Sequence, residues 1–184
     1  MKETVLFIFL FYSTVVGQRA SFFKEDVTFR LNGIHLNVEG YYWFTNYNNE
    51  DVNSSIFYPF PNYSNEKIDS ILVFNLSVGN KTDFVNEGKH GISFYISIPP
   101  GDTSLFQICY RQKLAADSAV YILETTRGWC KPLSQAEFKL IVPDTLEIKK
   151  FSYPSDKEYK INDMRIYYWN MEDFMPRKDM VFYF

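Results

Sequence analysis

Apolar residues recur at every second position through most of the chain. Val27, Phe29 and Leu31 alternate with Thr28 and Arg30; beyond Asn32-Gly33, Ile34, Leu36 and Val38 alternate with His35 and Asn37. Period two puts successive side chains on opposite faces of a strand, so each run predicts a strand with one buried face. Asn-Gly supplies the positive φ of a two-residue turn. A turn there pairs Leu31 with Ile34, Phe29 with Leu36 and Val27 with Val38, all on one face, and leaves His35 on the solvated one.

The same reading continues downstream. Gly40 interrupts a strand that resumes as Tyr41–Phe44 and marks a bulge or bend. Asn46–Ser54 is a loop, and Ile56–Pro61 is a short strand whose prolines suit a sheet edge. Leu72, Phe74, Leu76 and Val78 alternate, as do Ile92, Phe94, Ile96 and Ile98. Pro99-Pro100-Gly101-Asp102 ends that strand because proline donates no ladder hydrogen bond. Phe106, Ile108 and Tyr110 resume the pattern, and Tyr121–Leu123 follows a polar bend at Ala115–Ser118. Phe138, Leu140 and Val142, then Leu146–Tyr153, Arg165–Trp169 and Asp179–Phe184 complete about ten strands, at roughly 8- to 15-residue spacing. Helical character is confined to a turn at Leu133–Glu137. This pattern predicts an all-β chain, a single antiparallel β-sandwich of immunoglobulin-like or jelly-roll-like type, with Gly91–Thr126 at its centre.

The first residues change the picture of where the chain works. Lys2 precedes an apolar run, Thr4–Tyr12, too short to span a bilayer comfortably, and Val15-Val16-Gly17 offers a cleavage site. Residues 1–17 read as a signal peptide, with cleavage after Gly17 or Ala20, and residues 18–184 as the sandwich domain. An uncleaved anchor or a buried strand is the alternative. No later run approaches about 18 apolar residues, so no transmembrane helix is expected in the mature chain. The expected location is the periplasm or the cell surface.

Aromatic residues make up 19% of the chain, which favours sheet over helix, and the net charge is −3. Basic residues cluster only as the pairs Lys149-Lys150 and Arg177-Lys178, so no nucleic acid partner is expected. The two cysteines, Cys109 and Cys130, suggest one disulfide in an exported protein, provided the chain folds back after Arg127-Gly128; free thiols are the alternative. Four Asn-X-Ser/Thr sequons, at Asn53, Asn62, Asn75 and Asn80, would carry sugars in a eukaryotic secretory protein; the favoured reading is that an Asn- and Ser-rich composition produces them by chance.

Candidate chemistry is sparse. Glu50-Asp51 and Glu172-Asp173 lack the spacing of a glycosidase pair or a Ca²⁺ loop, and the sequence has no G-x-S-x-G, phosphate loop, H-E-x-x-H or C-x-x-C. No catalytic residue, metal or cofactor is expected. The residues that could recognise something are aromatic: Tyr41, Trp43, Tyr47, Tyr58 and Tyr63, a candidate binding surface. The expectation is a non-catalytic binding or structural domain whose partner is a protein or glycan at the cell envelope. A carbohydrate-binding module, using Tyr41 and Trp43 as an exposed planar row, is one alternative. A small outer-membrane β-barrel is another, because Met180, Phe182 and Phe184 alternate up to a terminal aromatic. Trp169-Asn-Met-Glu-Asp-Phe174-Met-Pro176-Arg-Lys-Asp179 before an apolar strand resembles the close of exported bacterial β-sandwich domains, and Tyr42…Phe44…Asn46 with Phe60-Pro61 is similar to their opening. Those domains carry no assigned chemistry, so the resemblance implies the fold.

Overall fold

The computed structural model describes residues 20–61 and 67–184. The expected signal peptide, Asn62 and Tyr63 lie outside the described residues. In chain order the strands are β1 (Ser21–Asn32), β2 (His35–Thr45), β3 (Val52–Pro59), β4 (Lys67–Asn75), β5 (Asn80–Lys81), β6 (Phe84–Asn86), β7 (Gly91–Ile98), β8 (Thr103–Lys113), β9 (Ser118–Tyr121), β10 (Leu133–Pro143), β11 (Lys150–Phe151), β12 (Lys157–Ile161), β13 (Met164–Phe174) and β14 (Met180–Tyr183). Two short 3-10 helices, Gly88–His90 and Glu124–Trp129, interrupt them. None of the described helices is long and apolar enough to cross a membrane.

Eight strands form one sheet in the order β12-β13-β10-β1-β2-β8-β4-β5. All its pairings are antiparallel except β1 with β10, which run parallel. Two three-stranded sheets, β11-β14-β9 and β3-β7-β6, complete the described fold. Residues directly opposite each other in a sheet share a face. Phe29 lies opposite Val38 and Leu140, Tyr42 opposite Phe106, and Phe138 opposite Trp169. These residues therefore make one continuous apolar face. Both small sheets rest on that face. Phe29 touches Phe182 and Tyr121 on one side, and Phe106 touches Phe94 on the other.

The all-β expectation holds, but the single antiparallel sandwich of about ten strands needs correction. The large sheet is mixed, and the second layer is split in two. Gly91–Thr126 is not one central sheet either, since β7, β8 and β9 belong to three different sheets. The bend at Ala115–Ser118 thus carries the chain between layers and closes no hairpin. The large sheet is open, with β12 and β5 at its edges, so the barrel expectation fails. Leu133–Glu137 is strand throughout.

The first hairpin forms as expected, with one shift. Asn32 pairs with His35 and Leu31 with Leu36, so the turn is Gly33-Ile34. Gly33 takes φ +57 while Ile34 does not turn positive, the type II′ combination. Ile34 is consequently 54% exposed and not in the core. In β4 the buried residue is Val73; Leu72 and Phe74 face the other way, and Leu76 and Val78 lie in an exposed turn. β3 is an edge strand, which suits Pro59 at its end.

Candidate functional site

The break in an otherwise apolar face is Glu25. Counting back by twos from Leu31, Phe29 and Val27 puts Glu25 on the core side, and the structure places it there at 2% exposure. A bulge in β1 between Phe22 and Lys24 sets up the position. The extra residue lets Phe22 and Glu25, three apart, both face inward, the re-aiming that bulges perform beside functional sites. Tyr42 lies opposite Glu25 on β2, and the small Ala136 on β10.

Glu25 lies on the floor of a cleft between the two small sheets. Phe22, Tyr42, Phe44 and Ile108 of the large sheet complete the floor, and Ile56, Tyr58 and Phe94 make one wall. Tyr121 and the 3-10 helix Glu124–Trp129 make the other. That helix is pinned from below: Asp179 Oδ1 accepts from the amides of Leu123 and Glu124, and Arg127 Nε donates to the Pro176 carbonyl. The cavity measures ≈ 80 Å³, several times the roughly 10–15 Å³ that one water needs. Exposed Phe57 and Thr125 stand at its rim.

Polar atoms inside the cleft form a directed chain. Tyr121 Oη donates to Glu25 Oε2 at 3.1 Å, so its single hydrogen is used. Tyr42 Oη, 3.0 Å away, must then donate to Tyr121, and Tyr58 Oη, at 2.8 Å, to Tyr42. Glu25 Oε1 has no hydrogen-bond partner among the described residues. Burial pushes the Glu25 carboxyl up to about 8, opposed only by the Tyr121 hydrogen bond. The three tyrosines are likewise held well above their ordinary range by burial. At neutral pH the cluster carries no charge.

Gly40 is what lets Tyr42 reach this chain. β2 runs through Gly40 in regular register with Val27 and Ile108, so the expected bulge is elsewhere. The Tyr42 ring lies back over Gly40, and a Cβ there would overlap the Tyr42 hydroxyl. Gly40→Ala is expected to cost about 1–3 kcal/mol by overpacking. The same substitution in a Tyr42→Ala background should cost far less; equal costs in a double-mutant cycle would refute the account.

The aromatic residues expected to form one surface are divided. Tyr58 belongs to the cleft. Tyr41 and Trp43 stand half-exposed on the opposite face of the large sheet, and Tyr47 is a loop residue at 73% exposure. Lys24 Nζ sits 4.9 Å from the Trp43 ring centroid, and Tyr41 Oη is tied to Glu39 and Gln107. Glu25, Tyr42 and Tyr121 were not expected at all, although the period-two count exposes Glu25.

The expected disulfide is absent: Cys109 and Cys130 are free. Cys109 faces outward between Glu39 and Leu72, while Cys130 follows Trp129, which packs on Phe22 and Phe44 of the inner face. The large sheet stands between the two thiols. Burial, with Glu39 beside it, holds the Cys109 thiol above its ordinary range, which disfavours a nucleophilic thiolate. Around Cys109 a shallow depression holds Arg30 and Arg111, but each is paired, with Glu39 at 3.0 Å and Asp69 at 2.7 Å. Among the described residues no group of three His, Cys, Asp or Glu side chains converges as a metal site would.

No protein-family model matches the chain, and no curated protein matches its sequence. Solved structures share its fold. A protein provisionally described as a nutrient binding protein, from Legionella pneumophila subsp. pneumophila, superposes with a TM-score of 0.70 at 14% identity, over 91% of this chain and 67% of that one. An M1 zinc metallopeptidase from Deinococcus radiodurans, bound to a peptide substrate, gives 0.58 at 12% identity, over 90% of this chain and 42% of that one. A two-domain M1 zinc metallopeptidase bound to L-tryptophan gives 0.57 at 13%, over 91% and 43%. The chain thus spans less than half the length of either peptidase. It is similar to all three in fold alone, and its role has to be argued from its own cleft.

Proposed function

We propose that the chain is an exported, non-catalytic binding domain that takes a small organic molecule into the cleft over Glu25. One observation carries this reading: a buried carboxyl with an unpartnered oxygen lines an otherwise largely apolar cavity. Leaving such a group unsatisfied costs about 1–3 kcal/mol. Apolar pockets with a few convergent polar groups are where small ligands bind. Glu25 is the one carboxylate among the described residues lining the cleft, whereas glycoside hydrolysis by carboxylates uses a pair. The likeness in fold to a protein described as nutrient binding is in keeping with a binding role. Recognition of a glycan by Tyr41 and Trp43 is less well supported, because the Lys24 ammonium already occupies one face of Trp43.

The test is a titration with propanol, propionamide, propylammonium and propionate, read by the methyl NMR signals of Ile56 and Ile108 and by thermal shift. At least one probe should move both methyls saturably and raise the melting temperature. Ile56→Trp, which fills the cleft, should abolish both effects. Four silent probes, or shifts that persist in the filled variant, would refute the reading.

A further inference from the structure

From the unpartnered Glu25 oxygen and the rings around it, we infer that the cleft selects a primary ammonium head on a short alkyl stem, which pairs with Glu25 as a carboxylate. This rests on the cleft being the binding site. Phe22, Phe44 and Trp129 are mutual neighbours, with centroid separations of 5.2, 5.7 and 5.9 Å, and all three line the cavity. A cluster of aromatic rings attracts a cation through the ring quadrupoles, most strongly when both are desolvated. Glu25 Oε1 supplies the counter-charge, and the hydroxyl oxygens of Tyr58 and Tyr42 retain lone pairs that can accept ammonium N–H bonds. Folding has already taken the carboxyl out of water, so pairing adds the desolvation of the amine and, below the Glu25 pKa, the cost of ionising the acid. The cavity is small enough that the head enters while the stem leaves between Phe57 and Thr125.

The proton balance follows from the same geometry. No other residue lining the cleft is charged; the facing groups are Tyr42 on β2, Tyr58 on β3, Tyr121 on β9 and Ala136 on β10. The free protein holds Glu25 as the neutral acid, and the ligand arrives as RNH₃⁺. The acid's O–H bond breaks, its proton passes to buffer, and the ammonium keeps its three hydrogens. One proton is released per ligand bound. Because only the ionised acid is competent, apparent affinity should rise about tenfold per pH unit below the Glu25 pKa and level off above about 8.

The experiment is calorimetric titration of the full chain with propylammonium at pH 7, in two buffers of different protonation enthalpy. The expected result is release of close to one proton, with affinity rising from pH 6 to 8. Glu25→Gln should abolish both binding and release while leaving the circular dichroism unchanged. Trp129→Ala should weaken binding about tenfold yet keep the proton release, which holds the test open if the first variant fails to fold. An Nα-acetyl-lysine amide run in parallel separates the sources of such a head. Tighter binding of the lysine analogue assigns it to a peptide side chain, tighter binding of propylammonium to a free amine, and either upholds the cation. Saturable binding of propanol or propionamide without proton release, and none of propylammonium, would overturn the inference and leave the cleft as a binding site. Silence of every probe would overturn both.

Discussion

Phe29→Ala is expected to remove about 3–5 kcal/mol of folding stability, a large share of the roughly 5–15 kcal/mol that a domain has in total. Phe29 is fully buried at the middle of β1 and meets Tyr121 and Phe182 with centroids 5.1 Å away, and Phe138 at 6.4 Å. It thereby joins the β11-β14-β9 sheet to the large one. Truncation leaves a cavity that strand backbones on both layers cannot collapse to fill, which adds to the lost transfer free energy. Urea denaturation should show a lower midpoint with an unchanged slope. Tyr95→Ala, at a 60% exposed position on β7, is the control and should stay within about 0.5 kcal/mol. A loss below about 1.5 kcal/mol for Phe29→Ala would mean that the small sheet does not pack tightly on the large one.

Glu25 makes stability fall as pH rises, and Glu25→Gln should abolish that slope. Below pH 4.5 the carboxyl is protonated in both folded and unfolded chains and contributes nothing to the slope. Between 4.5 and about 8 the unfolded chain has lost the proton while the folded one keeps it. The folded state then binds one proton more, so stability decreases by about 1.4 kcal/mol per pH unit. Over that window the total is roughly 4–5 kcal/mol, and above it both states are ionised and the cost stays constant. Thermal melts from pH 5 to 9 should therefore show wild type losing ground to Glu25→Gln, with the largest gap above pH 8. Other titrating groups, Asp26 among them, act equally in both proteins and cancel in the difference. A gap that does not grow with pH would refute the buried neutral acid.

Much of this fold was readable because most strands bury one face. Phe138, Leu140 and Val142, or Ile92 to Ile98, alternate because a core lies on one side and solvent on the other, and local pattern reports that directly. Layer membership was not readable, because β7 and β8 carry the same alternation whichever sheet receives them, and the four residues of β9 are too short a run to show one. The edge strand β12 was invisible for the opposite reason: Lys157–Ile161 is exposed throughout and has no face to bury. Two cysteines in a chain read as exported suggested a bond, but sequence alone does not say which side of a sheet each thiol takes. The site was half legible. Tyr58 stood out as an aromatic, whereas Glu25 looked like one more charge in Lys24-Glu25-Asp26 until its position in the Val27, Phe29, Leu31 series was counted. Tyr121 could not be connected to it, since 96 residues separate them in the chain.

The parallel pairing of β1 with β10 also bears on how the chain is made. Lys24–Arg30 pairs with Gln135–Ile141, so one side of β1 stays open until more than a hundred further residues have been synthesised. Until then β1, β2 and β8 can associate, but they present a bare row of amides and carbonyls along β1. Such an edge is a template for pairing with another copy. Closure depends on a contact of long sequence separation, the kind that slows folding most. Wherever β1, β2 and β8 have paired before β10, the central strand of the finished sheet is an exposed edge, and protection comes only when β10 arrives.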